Sequence, residues 1–163
     1  MNRIWAPWRM EYIEQPKPEG CIFCELPKGE DEAGLILHRG KLCLVMLNAF
    51  PYNNGHLMVA PYRHAADPGE LSAEELASLM EEMNLSLGVL RRAMHPEGCN
   101  LGMNLGRAAG AGIEDHLHLH VVPRWSGDTN FMPVLCDTRV LPEALTATYR
   151  KLREALDQEL AGG

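Results

Sequence analysis

The chain has 163 residues, 46% of them hydrophobic and 23% charged, with a formal net charge of −7. That is enough for one core and too little for two, and the acidic balance excludes a general nucleic-acid binder, which needs a basic stripe to displace counterions. No apolar run approaches the roughly 20 residues of a membrane span, and the start MNRIWAPWRM lacks a secretory h-region; a soluble, cytoplasmic protein with no membrane partner is expected.

In chain order, residues 1–20 read as an aromatic arm, because Trp5, Trp8 and Tyr12 need the body of the domain or a second subunit to pack on. Residues 21–130 are expected to form the domain core, and 131–163 a C-terminal extension with a helix, part of the same single domain. CIFCELPKGEDEAG is turn-rich and charged and is expected as surface loop. LILHRG (35–40), KLCLVMLN (41–48) and HLMVAPY (56–62) are strands, the last two separated by the Pro/Asn/Gly turn AFPYNNG.

Ser72 and Glu75 form a capping box. Beyond them Leu76, Met80, Met83, Leu87, Leu90 and Met94 define one face of an amphipathic helix of about 20 residues, taken as the core face and stopped at Pro96. CNLGMNLG (99–106) is a strand, RAAGAGIED (107–115) a glycine-bearing loop and HLHLHVVPR (116–124) a strand. Pro142 opens a last helix with Leu145, Tyr149, Leu152, Leu156 and Leu160 on one face. Strands around one long helix, with short early connections, make an antiparallel α+β domain.

Five cysteines without a secretory signal do not suggest a disulfide framework. Cys43, Cys99 and Cys136 read as small core residues. Cys21-x-x-Cys24 has the spacing by which two thiolates hold one tetrahedral zinc, and equally that of an unmetallated thiol pair.

The segment HLHLH at 116–120 carries the chemistry. On a strand His116, His118 and His120 share one face at intervals of roughly 7 Å, with Leu117, Leu119 and Val121 on the other. Imidazole can be base, acid, nucleophile or metal ligand near neutral pH. GRAAGAG (106–112) places small residues just ahead, where backbone N–H groups can approach a phosphate.

H-L-H-L-H-V-V, together with Asn48-x7-Gly-His56-Leu-Met-Val and Asn104-Leu-Gly-x3-Gly110, closely resembles the signature of the histidine triad (HIT) family of nucleotide-binding hydrolases and transferases. WAPWRMEYI and PRWSGDTNFMPV resemble the branch of Fhit-like dinucleoside polyphosphate hydrolases and bacterial diadenosine tetraphosphate phosphorylases. The resemblance implies an antiparallel sheet with a long helix, usually a homodimer. It implies cleavage of dinucleoside polyphosphates to AMP, ADP or ATP through a nucleotidyl-histidine, resolved by phosphate or water. Phosphorolysis is preferred on the flanking segments; a nucleoside phosphoramidase, or a nucleotide-binding signalling module with little turnover, is the alternative.

By the same resemblance His118 is the nucleophile and His120 bonds phosphate oxygens and assists the leaving group. His56 lies on the leaving-group side, Asn48 holds the nucleoside or merely ends a strand, and Asn104 contacts the phosphates. Gly110, Ala111 and Gly112 line the phosphate through backbone N–H groups, since relatives often carry a hydroxyl or amide where this chain has Ala111, Gly112 and Ile113. Arg107 either compensates or is solvated. Trp125 either shapes the pocket or is a core or interface aromatic. The zinc-bearing members supply two more ligands at the positions of His64 and His116, which makes a structural Zn2+ site of Cys21, Cys24, His64 and His116; the rival is a first triad histidine that serves the phosphate. Mg2+ is expected only as a companion of the polyphosphate. His38 and His95 match no motif and are expected on the surface.

Overall fold

Runs of Leu, Val and Met supply the central strands, and both faces of those strands are covered. The computed structural model describes residues 20–129 and 141–162. The expected arm, apart from Gly20, and Cys136 lie outside the described residues. A short helix α1 (Ile22–Glu25) and a 3-10 turn lead into β1 (Ile36–Arg39), β2 (Cys43–Leu47) and β3 (Leu57–Pro61). Then come α2 (Ala73–Met94), β4 (Gly98–Met103), a 3-10 turn at Arg107–Ala109, β5 (Leu119–Arg124) and α3 (Leu145–Ala161). The five strands form one sheet in the order β1-β2-β3-β5-β4, and every pair is antiparallel.

Side chains alternate across the sheet. Leu37, Val45, Leu47, Leu57, Val59, Leu119 and Val121 face α2 and α3. Ile36, Leu44, Met46, Met58 and Ala60 face the opposite way and pack with Phe23 of α1. All five residues of β2 and of β3 are therefore buried, which is why their sequence is a continuous apolar run without alternation. Among the described residues no helix is long and apolar enough to cross a membrane.

Several expectations are corrected. The segment read as surface loop at 21–34 contains α1, whose Phe23 is 1% exposed. The core face of α2 is rotated from the expected one: Leu79, Glu82, Met83, Ser86, Val89 and Leu90 are buried, whereas Leu76 and Met80 are 37% and 48% exposed. In α3, Tyr149, Leu152 and Leu156 face the core as expected and Leu160 does not; Pro142 lies ahead of the helix, whose N-cap is Ala144.

Regular pairing of the triad strand begins only at Leu119, because Leu117 N–H bonds the carbonyl of Ala65 rather than a neighbouring strand. Cys43 is buried, but Cys99 sits half-buried on the edge strand β4. His38 is half-buried with Nε2 3.7 Å from Glu82, since β1 turns that side chain toward α2. His95 is an exposed left-handed C-cap of α2.

Candidate active site

The three triad histidines are all buried, and their hydrogen bonds fix their tautomers. A carbonyl oxygen can only accept, so the 2.8 Å contact between His118 Nδ1 and His116 O puts the proton on Nδ1. His118 Nε2 is left as the lone-pair nitrogen. The same logic applies to His116, whose Nε2 donates to Pro61 O at 2.8 Å and leaves Nδ1 as a ligand atom.

A third chain of bonds starts from the backbone. Tyr52 N–H, which can only donate, bonds His56 Nδ1 at 3.0 Å, and Asn48 Nδ2 reaches the same atom at 3.4 Å. His56 must then carry its proton on Nε2, and it donates to His120 Nδ1 at 2.9 Å. His120 Nε2 becomes the last donor of the relay, and it is buried with no hydrogen-bond partner among the described residues. An unmet donor at such depth costs about 1–3 kcal/mol, unless a ligand accepts from it.

Sheet register makes the relay possible. Met58 of β3 lies directly opposite His120 of β5, so His56, two residues earlier, is the diagonal neighbour on the same face. Gly55 supplies the entry with φ of +77°, a conformation that side-chain-bearing residues rarely adopt. The Tyr52 ring covers the pair, with centroids 4.6 Å from His56 and 5.4 Å from His120. Its loop is pinned by Asn53, which donates to Asp128 Oδ2 at 2.8 Å and to Pro123 O at 3.1 Å. Asn54 Oδ1 accepts from Thr148 of α3.

Burial lowers the basicity of His118, and its bond to the His116 carbonyl only partly opposes this. Burial, with His118 next to it, brings His120 down to about 4. Both are thus neutral at physiological pH, and a neutral imidazole is what a nitrogen nucleophile requires.

The remaining expected residues divide. Asn48 belongs to the relay, and its Oδ1 also accepts from Phe50 N–H at 2.9 Å. Asn104 follows β4 and is half-buried. Gly110 has φ of +86°, Ala111 is buried and Gly112 exposed, so the loop ahead of the triad presents backbone and no polar side chain there. Arg107 pairs with Glu114 at 2.8 Å and is 90% exposed, a solvated arginine. Trp125 donates from Nε1 to Met94 O at 3.3 Å, which anchors it to the end of α2.

On the other side of His118, Cys21, Cys24, His64 and His116 bring one ligand atom each to within 4.8 Å of one another. Cys21 Sγ is 3.2 Å and Cys24 Sγ 3.6 Å from His116 Nδ1, and Cys24 Sγ is 3.4 Å from His64 Nδ1. Edges of about 3.5 Å are what metal–sulfur bonds near 2.3 Å and metal–nitrogen bonds near 2.0 Å produce in a tetrahedron. The Pro61 carbonyl holds the His116 ring from behind, as an outer-shell partner should. The four residues fit a structural metal ion. Sequence reasoning named the same four residues, but missed Phe23, Tyr52, Asn53 and Asp128, each of which also has a partner distant in the chain.

A family model described as HIT domain matches residues 29–127. The AP-4-A phosphorylase of Mycobacterium tuberculosis (strain ATCC 25618 / H37Rv) is 40% identical over 161 residues, covering 93% of this chain and 83% of that protein. Among solved structures, a Zn-bound histidine triad family protein from Mycobacterium smegmatis is 28% identical with a TM-score of 0.69, over 88% of this chain and 97% of that one. A hypothetical histidine triad nucleotide-binding protein from Sulfolobus tokodaii strain7 is 26% identical with a TM-score of 0.68, over 87% of this chain and 93% of that one.

Proposed function

The chain belongs to the histidine triad family, and on that basis we propose that it is an enzyme that cleaves dinucleoside polyphosphates such as diadenosine tetraphosphate by phosphorolysis. The observation that carries this reading is the tautomer pattern: a neutral His118 with its Nε2 lone pair available, beside a buried N–H donor on His120 that has no acceptor among the described residues. His118 Nε2 attacks the α-phosphorus, the P–O bond to the remaining polyphosphate breaks, and ATP leaves with AMP held on nitrogen. Inorganic phosphate then attacks the same phosphorus, the P–N bond breaks, and ADP is released with the imidazole restored.

His120 donates to a phosphate oxygen as the leaving group departs. Its relay from the Tyr52 amide supplies the side-chain donor that Ala111 and Gly112 lack. Asn48, His56, Asn104, the backbone of Gly110 to Gly112 and Trp125 are assigned to the nucleotide, and Mg2+ to the incoming polyphosphate. The 40% identity to a phosphorylase supports phosphate over water as the second nucleophile.

We assign a structural zinc to Cys21, Cys24, His64 and His116, on the donor set and its spacing. Bound there, zinc adds folding energy by joining the N-terminal segment to the triad. We also assign a homodimer: β4 is an edge strand with Leu101 46% exposed, and Leu76 and Met80 of α2 are exposed. Thiols that must stay reduced suit the cytoplasm.

Product analysis tests the reaction. With diadenosine tetraphosphate and phosphate, ADP beside ATP is expected; AMP beside ATP in saturating phosphate means that water resolves the intermediate. His118→Ala should reduce turnover by several orders of magnitude and abolish covalent trapping of the nucleotide. Undiminished turnover in that variant removes His118 as the nucleophile.

A further inference from the structure

The ring of Phe23 lies against both a member of the metal cluster and the reacting imidazole. Helix α1 carries both cysteines: Cys21 is its N-cap and Cys24 lies within it. The Cys21 carbonyl accepts from the N–H groups of both Cys24 and Glu25 at 3.0 Å, which clasps the pair into one turn. Phe23, between them, points inward. It is 1% exposed and packs with Ile36, Leu44, Met46, Met58 and Ala60.

Its ring lies against two triad members at once, with centroids 5.2 Å from His116 and 4.8 Å from His118. His116 is a ligand of the cluster, 3.2 Å from Cys21 Sγ, and its carbonyl holds the His118 proton. The cluster thus reaches His118 by two routes, one through the backbone of its neighbour and one through the Phe23 ring. Wherever α1 is carried by its thiolates, the ring follows, and the ring is the wall against which the imidazole of His118 is turned.

We propose that Phe23 is a positioning residue, which transmits the state of the Cys21–Cys24–His64–His116 cluster to the ring of His118. It touches neither phosphate nor metal. Its effect is on the orientation and tautomer of the nucleophile, so its loss should be felt in turnover more than in substrate affinity. The inference rests on His118 being the nucleophile.

The test uses the zinc-loaded full chain labelled with 15N in histidine, at one fixed pH, with the His118 ring signals identified by their loss in His118→Ala. Phe23→Leu keeps an apolar side chain in the core and removes the ring; Phe23→Met is a second ring-free variant should the first fold poorly. In both, kcat should fall at least about tenfold while KM stays within about twofold and zinc content stays near one per chain. The single Nδ1–H signature of His118 should give way to a mixture of tautomers or ring orientations. Wild-type protein stripped by a chelator should show the same altered signature.

An unchanged His118 signature in the Phe23 variants, or kcat within about twofold of wild type, overturns the proposal. So does a stripped wild type that keeps the single signature, or a variant that loses its zinc, since the ring would then act on the cluster and not on His118. Active Phe23 variants alongside an inactive His118→Ala remove only the role of Phe23. An active His118→Ala instead removes the nucleophile on which that role depends.

Discussion

Glu82 is the one carboxylate of α2 turned into the core, and its Oε2 has no hydrogen-bond partner among the described residues. The backbone of Gly40 closes over it: a Cβ there would stand 1.9 Å from Glu82 Oε1. His38, 3.7 Å away, gives little charge in return, because burial and Arg153 lower its basicity. Burial, and secondarily Glu81, hold the Glu82 carboxyl up at about 7, against 4.5 for a free side chain. Between those values the folded chain retains a proton that the unfolded chain has released. Stability from this group therefore declines as pH rises from about 4.5 to about 7 and levels off above, by roughly 3 kcal/mol in total. Glu82→Gln should accordingly melt well above wild type at pH 8, with the gap closing toward pH 4.5. Parallel melting curves across that range would show that Glu82 is not the group responsible.

Element α2 shows what sequence can and cannot specify. Its start was legible, since Ser72 Oγ accepts from Glu75 N–H and Glu75 Oε2 from Ser72 N–H. Glu75 also pairs with Arg63 at 2.7 Å, and that bond above all holds its carboxyl down at about 2. The cap thereby anchors the turn that carries His64. Ser72→Ala should lose about 1 kcal/mol, a fall of about 2–4 °C in Tm, whereas Ser72→Thr should lose much less; equal losses would mean that the hydroxyl is not what matters. The buried face was not legible. Apolar residues occur on two adjacent stripes, and the one that packs includes Ser86, whose hydroxyl is satisfied by the Glu82 carbonyl at 2.7 Å. A count of hydrophobic positions selects Leu76 and Met80 and passes over such a serine. The triad motif announced its chemistry in five letters. The partnership of His56 with His120 spans 64 positions and appears only once β3 and β5 are in register.

At the scale of the whole molecule, the candidate zinc site joins three parts of the chain that are distant in sequence: the segment before β1, the turn after β3 and the entry to β5. A ligand bound only by the folded chain stabilises it in proportion to the logarithm of its concentration over Kd. Chelation should therefore lower the Tm of the wild type by several degrees and leave Cys21→Ser nearly unmoved, with elemental analysis giving about one zinc per wild-type chain. A wild type without metal, and indifferent to chelator, would return the four residues to a purely local role. Strand β3 then acquires a meaning beyond its share of the sheet. His56 stands immediately before it, Pro61 O at its end grips His116, and His64 lies three residues further on. Five residues of extended chain, about 16 Å, thus act as a ruler between the proton relay and the metal cluster. Lengthening that ruler by one residue would turn every later side chain to the other face, so the two centres would fail together, whereas extra residues in the 26–34 connection would leave the spacing intact.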